Sequence, residues 1–247
     1  MVAPCGAPRK NGQPVVLYDY DPGRGAGVPK RLLGDFTGYL QTDGYDGYNA
    51  VVEANGLTHV GCMAHARRKF SEAVKAQGTN KNKSKKKGKA HHGLALIQKL
   101  YRVEKQARAL TPEGRYGHRQ RHARPILDAL RAWLDDALPQ VPPTTTTGKA
   151  LNYLHNEWGK LIRYLDDGRL EIDNNSAENA IRPFVVGRKN WLFSHSVKGV
   201  KASANLYSLI ETAKANGLEP YAYLRRVFTE LPRADSIEAI EALLPHT

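Results

Sequence analysis

Cysteine is scarce in this sequence, which has only Cys5 and Cys62 among its 247 residues. Two cysteines cannot build the disulfide framework that holds a small secreted domain together. Residues 1–10 also lack the apolar core of a secretory signal. We therefore expect a chain that resides in a reducing cytoplasm.

Long hydrophobic runs are absent too, and no apolar stretch approaches the roughly 20 residues of a membrane-spanning helix. Positive charge is in excess, with 37 Lys and Arg against 24 Asp and Glu and a formal net charge of +13. Such an excess favours a polyanionic partner, either nucleic acid or an anionic membrane surface. The helical segments do not combine a basic face with bulky apolar groups as a membrane-surface helix does, so nucleic acid is the expected partner.

The positive charge is concentrated in one part of the chain, because residues 73–103 contain no Asp or Glu. Within that stretch, residues 78–88 (GTNKNKSKKKG) are polar, basic and of low complexity, which predicts a loop between helices. A solvated loop explains its composition. Its one-sided charge also allows sequence-tolerant contact with phosphates through Lys83, Lys85, Lys86 and Lys87.

The first third of the chain alternates between strand and helix patterns. β-forming runs occupy residues 14–20, 38–42 and 57–62, and helical patterns occupy residues 28–36 and 47–55. This alternation predicts an α/β fold.

Helical periodicity dominates the remainder. Segments with apolar residues on one helical face fall at residues 64–76, 94–103, 126–138, 151–165, 204–215 and 220–231. A short helix is expected over residues 176–182 and a strand over 190–193. Pro142, Pro143 and the four threonines after them are interpreted as a linker.

Asp43 follows the predicted strand at residues 38–42 and precedes Gly44. Ligands of α/β proteins gather at the carboxyl ends of strands, where an Asp can bind a hard cation such as Mg²⁺. An Asp before a Gly is also a common turn residue, and position alone favours that ordinary interpretation.

Glu178 lies in a segment rich in side-chain oxygens, residues 173–179. Asn175 and Glu178 have the spacing of a capping box, which gives Glu178 a structural explanation. The alternative is a carboxylate in a cleft with the basic neighbours Arg182, Arg188 and Lys189. Local evidence favours the capping interpretation.

Cys62 and His65 have the spacing of half a zinc site, but no second pair at matching spacing exists. We therefore expect both to be packed structural residues without zinc. Arg67, Arg68 and Lys69 follow directly, and they suit either a contact with the phosphate backbone or a solvated helix face.

Four segments in this order resemble the insertion sequence 66 family of bacterial transposases: TDGYDGYN at residues 42–49, GCMAHARRKF at 61–70, DNNSAENAIRPFVVGRKNWLF at 173–193 and LYSLIETAKANGLEPYAYL at 206–224. The resemblance extends from about Pro14 to about Pro232. It implies a bacterial, cytoplasmic protein that acts in DNA transposition.

The resemblance also implies a fold and a site. The fold would be a ribonuclease-H-like mixed sheet flanked by helices and interrupted by a mainly helical insertion. Asp43 would be the second catalytic Asp, and Glu178 would be the catalytic Glu. Together they would bind two Mg²⁺ or Mn²⁺ ions for phosphoryl transfer on DNA, with their carboxylates within about 8 Å of each other.

In this scheme residues 1–70 begin the catalytic core, residues 71–168 form the helical insertion with its basic loop at 78–89, residues 169–217 complete the core, and residues 218–247 form C-terminal helices. The family's first catalytic Asp, in an Asp-Glu-Thr segment before the strand at residues 14–20, has no counterpart here. We therefore expect a catalytic-domain fragment that is inactive alone.

Two alternatives stay open: a DNA-binding remnant or partner subunit without cleavage activity, and a nuclease of the same fold. The expected partners are transposon ends and target DNA, together with further copies of the chain or other transposition proteins. A membrane partner is not expected.

Overall fold

The computed structural model describes residues 5–6, 13–23, 25–77, 88–191 and 196–245, without the side chains of residues 5–6 and 188–191. Within these ranges, no helix is long and apolar enough to cross a membrane. The strands are β1 Cys5–Gly6, β2 Val15–Val16, β3 Tyr39–Gln41 and β4 Thr58–Val60. The helices are α1 Gly27–Leu33, α2 Asn49–Asn55, α3 Met63–Ala76, α4 Lys89–Ala107, α5 Pro112–His122, α6 Arg124–Ala137, α7 Thr146–Asn156, α8 Trp158–Leu161, α9 Asn175–Trp191, α10 Val197–Ala215, α11 Pro220–Glu230 and α12 Ile237–Glu241.

The chain divides into two compact units. One is Gly25–Asn174, and the other combines Met1–Arg24 with Asn175–Thr247. The described residues are predominantly helical and contain two separate two-stranded sheets, β1–β2 and β3–β4. The expected α/β class is therefore present in a coarse form, with little sheet.

β3 and β4 form a parallel pair in the unit Gly25–Asn174, with Leu40 opposite His59. A short 3-10 helix and α2 make the crossover between the strands, as parallel pairing requires. The amide of Thr42 donates to the Val60 carbonyl at 3.1 Å and extends the pairing past β3. Both strands therefore end at the same edge, where Asp43 and Cys62 follow.

Helices α3, α4, α6 and α7 enclose the main core of this unit, with α3 packed on α4 and α7 and α4 packed on α6. The Phe70 and Trp133 rings meet at 6.0 Å between centroids. A methyl group at Gly93 would lie 2.6 Å from the Phe70 ring and 2.7 Å from the Trp133 ring. The absence of a side chain at Gly93 thus allows α4 to approach both rings.

Arg119 of α5 is fully buried, and all five of its N–H donors have acceptors. Two donate to the Glu104 carboxylate of α4, at 2.9 and 2.6 Å. The other three donate to the carbonyls of Tyr164, Asp167 and Leu170, at 2.8, 3.1 and 2.8 Å. One cation therefore joins α4, α5 and the segment that follows the 3-10 helix Arg163–Leu165.

The segment after that 3-10 helix leads back to the ends of the parallel strands. The Gln41 side chain donates to the Glu171 carbonyl at 2.8 Å, and the Met63 amide donates to the Ile172 carbonyl at 3.1 Å. Its path also passes very close to α5, because a methyl group at Gly168 would meet the Pro112 carbonyl oxygen at 1.8 Å.

In the other unit, one edge of the strand region at residues 14–18 is bonded by side chains of α10 and of Asn216, which follows it. The bonding residues are spaced four positions apart in the sequence: Ser208, Thr212 and Asn216. Ser208 accepts from the Tyr18 amide at 2.8 Å, Thr212 accepts from the Val16 amide at 3.0 Å, and Asn216 donates to the Pro14 carbonyl at 2.9 Å.

These three hydrogen bonds form because the rise of four helical residues nearly equals the rise of two strand residues. Four helical residues rise about 6.0 Å, and two strand residues rise about 6.6 Å. Polar side chains on one stripe of α10 therefore meet successive backbone groups on one edge of the strand. They satisfy groups that a neighbouring strand would otherwise have to bond.

Two expectations about local structure need correction, and one helix was missed. α9 continues to Trp191, so residues 190–191 are helical and the strand expected from 190 is wrong there, while residues 192–193 lie outside the described residues. The threonines after Pro143 are not all linker, because Thr145 caps α7 through the Gly148 amide at 3.0 Å and α7 begins at Thr146. The helix α5 was not predicted.

Replacing Arg119 by Lys should lower the free energy of unfolding by about 1–3 kcal/mol for each buried carbonyl that loses its only donor. A lysine has three donors on a single nitrogen and cannot reach the Glu104 carboxylate and three separate carbonyls together. Arg163→Lys is the matched control, because Arg163 forms an exposed pair with Asp166 at 3.2 Å; its expected loss is below about 1 kcal/mol. Equal losses in urea unfolding would contradict the central role of Arg119.

Candidate functional site

Asp43 lies two residues beyond the end of β3, on an exposed turn. One oxygen of its carboxylate accepts a hydrogen bond from the Tyr45 amide at 3.1 Å. Gly44 occupies the left-handed region with φ 87°, which a glycine adopts at little cost. The turn thus presents the Asp43 carboxylate at the shared edge of β3 and β4.

A hydrogen-bonded chain beneath this turn fixes its backbone. The Thr42 hydroxyl oxygen lies 2.7 Å from His59 Nε2 on β4 and accepts from the Gly44 amide at 3.3 Å. Burial, and to a smaller extent the nearby Lys160 cation, lowers the pKa of His59. This contact joins the end of β4 to the turn, and the tautomer of His59 determines which of the two groups donates.

Glu157 and Tyr153 of the α7–α8 region lie beside the same turn. A methyl group at Gly44 would stand 3.5 Å from the Tyr153 hydroxyl and 3.6 Å from Glu157 Oε2. Lys160 forms an ion pair with Glu157 at 3.1 Å. Burial raises the pKa of Tyr153, and nearby acidic groups, Glu157 first among them, raise it further. Tyr153 is therefore a neutral hydroxyl among acidic groups.

Cys62 follows β4 and is buried, as a packed structural residue would be. Burial raises the pKa of its thiol, although the amides of Asn174, His65 and Ala64 act in the opposite direction. His65 lies in the first turn of α3, and its amide donates to the Cys62 carbonyl at 3.2 Å. Absence of zinc at this pair stays a prediction, which elemental analysis of purified protein can test.

Asp173 is an acidic residue at the same edge that the sequence patterns did not single out. Its Oδ2 accepts from the Tyr101 hydroxyl at 2.8 Å. Burial and the Asp173 charge raise the pKa of Tyr101, and the raised pKa of Cys62 also includes a contribution from Asp173. Its position follows from the Arg119-bonded segment, which no local sequence pattern reveals.

The basic residues of α3 flank this edge. The Arg67 guanidinium lies 5.0 Å from the centre of the Tyr101 ring, and the Lys69 ammonium lies 5.0 Å from the centre of the Tyr153 ring. Arg68 is exposed between them. Two of the three cations are therefore held against aromatic faces, which restricts their positions.

The other basic residues that were predicted to contact DNA lie outside α3. Arg182 is exposed on α9, in the unit that also contains Glu178. Arg188 and Lys189 belong to α9, but their side chains lie outside the described residues. The lysines Lys83, Lys85, Lys86 and Lys87 lie outside them entirely.

Glu178 lies in the first turn of α9, where a negative charge is favourable at the positive end of the helix dipole. α9 begins at Asn175, whereas the capping-box interpretation places Asn175 before the helix. Pro183 follows within the same helix. Asp43 and Glu178 belong to different compact units, so their convergence stays a prediction.

Comparison with known proteins identifies the family. Residues 3–202 match the family described as Transposase IS66 family, and residues 208–246 match the IS66 C-terminal element. The chain therefore belongs to the IS66 family of transposases, as the sequence resemblance indicated. No solved structure matches the chain.

Curated relatives occur in Sinorhizobium fredii (strain NBRC 101917 / NGR234). The uncharacterized protein y4jD is 33% identical over 239 residues, which cover 94% of this chain and 45% of that protein. The uncharacterized protein y4qI is 33% identical over 239 residues, covering 94% and 43%, respectively. The chain thus spans less than half the length of these relatives.

The lowered pKa of His59 predicts a specific loss of stability in acid. Above its ordinary pKa of about 6.5, His59 is neutral in both the folded and unfolded states and contributes no pH dependence. As the pH falls from there through the lower folded-state pKa, the unfolded state binds more protons, so folding is destabilised. The Lys160 cation strengthens this effect, and the Glu157 carboxylate opposes it.

The test compares the wild type with His59→Gln by chemical unfolding between about pH 8 and about pH 5. All other titrating groups are common to both proteins, so the difference in unfolding free energy isolates His59. We expect the advantage of the wild type to shrink as the pH falls. A constant or growing advantage would show that burial does not keep His59 neutral.

Proposed function

We propose that this chain supplies Asp43 and Glu178 as two metal-binding carboxylates of a DNA strand-transfer centre in a ribonuclease-H-like core. The observation that carries the proposal is the placement of Asp43 on a fixed turn at the carboxyl edge of a parallel strand pair. Family membership supports transposase function and DNA as the partner. We also propose the domain limits predicted from the sequence, in which residues 71–168 form the helical insertion.

The donor set around Asp43 suits Mg²⁺ or Mn²⁺. The Asp43 carboxylate is exposed, and one of its oxygens is oriented by the Tyr45 amide. Hard cations of this size prefer carboxylate oxygens and keep several positions for water or phosphate. Two such ions, when bound, would stabilise the attacking and leaving oxygens of an in-line displacement at phosphorus.

The protein's own residues have positioning tasks in this scheme. The Thr42–His59 hydrogen bond holds the backbone on which Asp43 stands. Arg67 and Lys69, stacked on aromatic rings, and the exposed Arg68 provide positive charge near that edge for the DNA backbone. Contacts with phosphate fix the register of the DNA without reading its sequence.

Removing the Asp43 charge should remove a metal site. We expect Asp43→Asn and Glu178→Gln each to weaken Mn²⁺ binding, measured by electron paramagnetic resonance of free Mn²⁺, by about tenfold or more, because each loses one anionic oxygen ligand. Asp46→Asn is the matched control, since Asp46 is exposed on the neighbouring 3-10 helix. Equal weakening in all three variants would indicate only a general effect of charge and would contradict the assignment.

A second candidate, DNA binding without cleavage, is favoured by the net charge of +13 and the basic residues of α3. Replacing Arg67, Arg68 and Lys69 by Gln should weaken binding equally for unrelated duplexes. The slope of log affinity against log salt should become shallower by about 0.9 for each phosphate that the protein no longer neutralises.

The control replaces the exposed Arg225, Arg226 and Arg233 by Gln, which removes the same number of charges from the other unit. The α3 variant should lose more affinity than this control. An identical loss of affinity in the two variants would show a response to net charge rather than an interface at α3. Mn²⁺ binding that both Asp43→Asn and Glu178→Gln weaken would favour the metal centre over the binding-only candidate.

A further inference from the structure

We propose that Tyr18 is a positioning residue for Glu178, acting through the backbone of α9. This inference rests on the proposed role of Glu178 as a metal ligand. It concerns contacts within one compact unit, which contains the strand region at residues 14–18 as well as α9 and α10.

α9 has a weak point just after Glu178. Pro183 lies inside the helix and has no N–H to donate to the carbonyl of Asn179, one turn earlier. The proline ring also crowds the carbonyls of that preceding turn. The first turn of α9, which contains Glu178, is therefore held less firmly by its own helix than an uninterrupted turn would be.

The Tyr18 hydroxyl adds a contact beside this interruption by donating a hydrogen bond to the Ala180 carbonyl. Ala180 is two residues after Glu178 and next to the carbonyl that Pro183 leaves without its helical donor. Successive helical residues turn by about 100°, so the Glu178 side chain leaves the helix about 200° from that of Ala180. Tyr18 can thus hold one side of the turn while Glu178 stays on the other.

Tyr18 is itself rigidly placed. It is 2% exposed, and its amide donates to Ser208 Oγ of α10 at 2.8 Å. Its ring packs against Phe184 of α9 and Tyr207 of α10, with centroid distances of 6.2 and 6.0 Å. A hydroxyl fixed by the strand backbone and two rings is well suited to hold a helix turn, because little side-chain freedom remains to be lost.

The test compares Tyr18→Phe with Tyr223→Phe. Tyr223 is the matched control, because it is buried in the same unit and its hydroxyl donates to a backbone carbonyl, that of Leu243, at 2.9 Å. Hydrogen exchange of the α9 amides is the first readout. Tyr18→Phe should raise exchange across residues 181–187 by about two- to tenfold, the range for one net hydrogen bond, and Tyr223→Phe should leave it unchanged.

A second arm uses Pro183→Ala, which restores the missing N–H donor. In that background the effect of Tyr18→Phe on α9 exchange should become smaller, because the turn no longer depends on the tyrosine hydroxyl. Unchanged α9 exchange in Tyr18→Phe, or an equal change in Tyr223→Phe, would overturn the inference.

Mn²⁺ affinity is the third readout and separates this inference from the proposed function. Tyr18→Phe should weaken Mn²⁺ binding several-fold, while Tyr223→Phe should not, even if both lower the global stability equally. If Glu178→Gln leaves Mn²⁺ binding unchanged, the proposed metal role fails and the link from Tyr18 to Glu178 fails with it. The exchange arm would then still decide whether Tyr18 fixes α9.

Discussion

The buried Arg119 cation is the constraint on which the unit Gly25–Asn174 depends. A guanidinium without water must find acceptors for all its donors, and a single missing partner would leave a costly buried charge. Glu104 neutralises it, and three carbonyls of residues 164–170 complete its bonding. The Asp167 carbonyl also accepts from the Leu170 amide at 3.2 Å, which closes the turn between these residues. Arg119 therefore fixes the backbone of residues 164–170. The residues that follow return from there to the ends of β3 and β4.

That return path determines which groups meet at the carboxyl edge of β3 and β4. Asp173 arrives beside Cys62 and Tyr101, while α8 brings Lys160 and Glu157 beside Gly61 and the Asp43 turn. In the other unit, the backbone along one edge of the strand region at residues 14–18 is bonded by Ser208, Thr212 and Asn216. In both units, polar side chains bond backbone groups that lie outside their own helix.

Apolar periodicity predicted α3 and α6 well, because their buried residues recur every three or four positions. It predicted α10 only from residue 204, whereas α10 begins at Val197 and its buried residues include the polar Ser208 and Thr212. The pair Asn216-Gly217 and Pro220 marked the end of α10 and the start of α11, with Gly217 at φ 76°. Helix α5 could not be found this way, since Arg119 is its only buried residue. At the candidate site, a strand followed by Asp43 was predictable, whereas the contributions of His59 and Asp173 arise from tertiary contacts. A histidine within the apolar run of residues 57–62 was the one available signal.

The central claim is that Asp43 and Glu178 serve one pair of metal ions although they lie in different compact units. Anomalous diffraction from crystals grown with Mn²⁺ and DNA tests it most directly, because it locates the ions independently of any assay. The account predicts bound Mn²⁺ with Asp43 and Glu178 both among its ligands. Mn²⁺ bound at neither carboxylate, or at each one separately and far from the other, would contradict it.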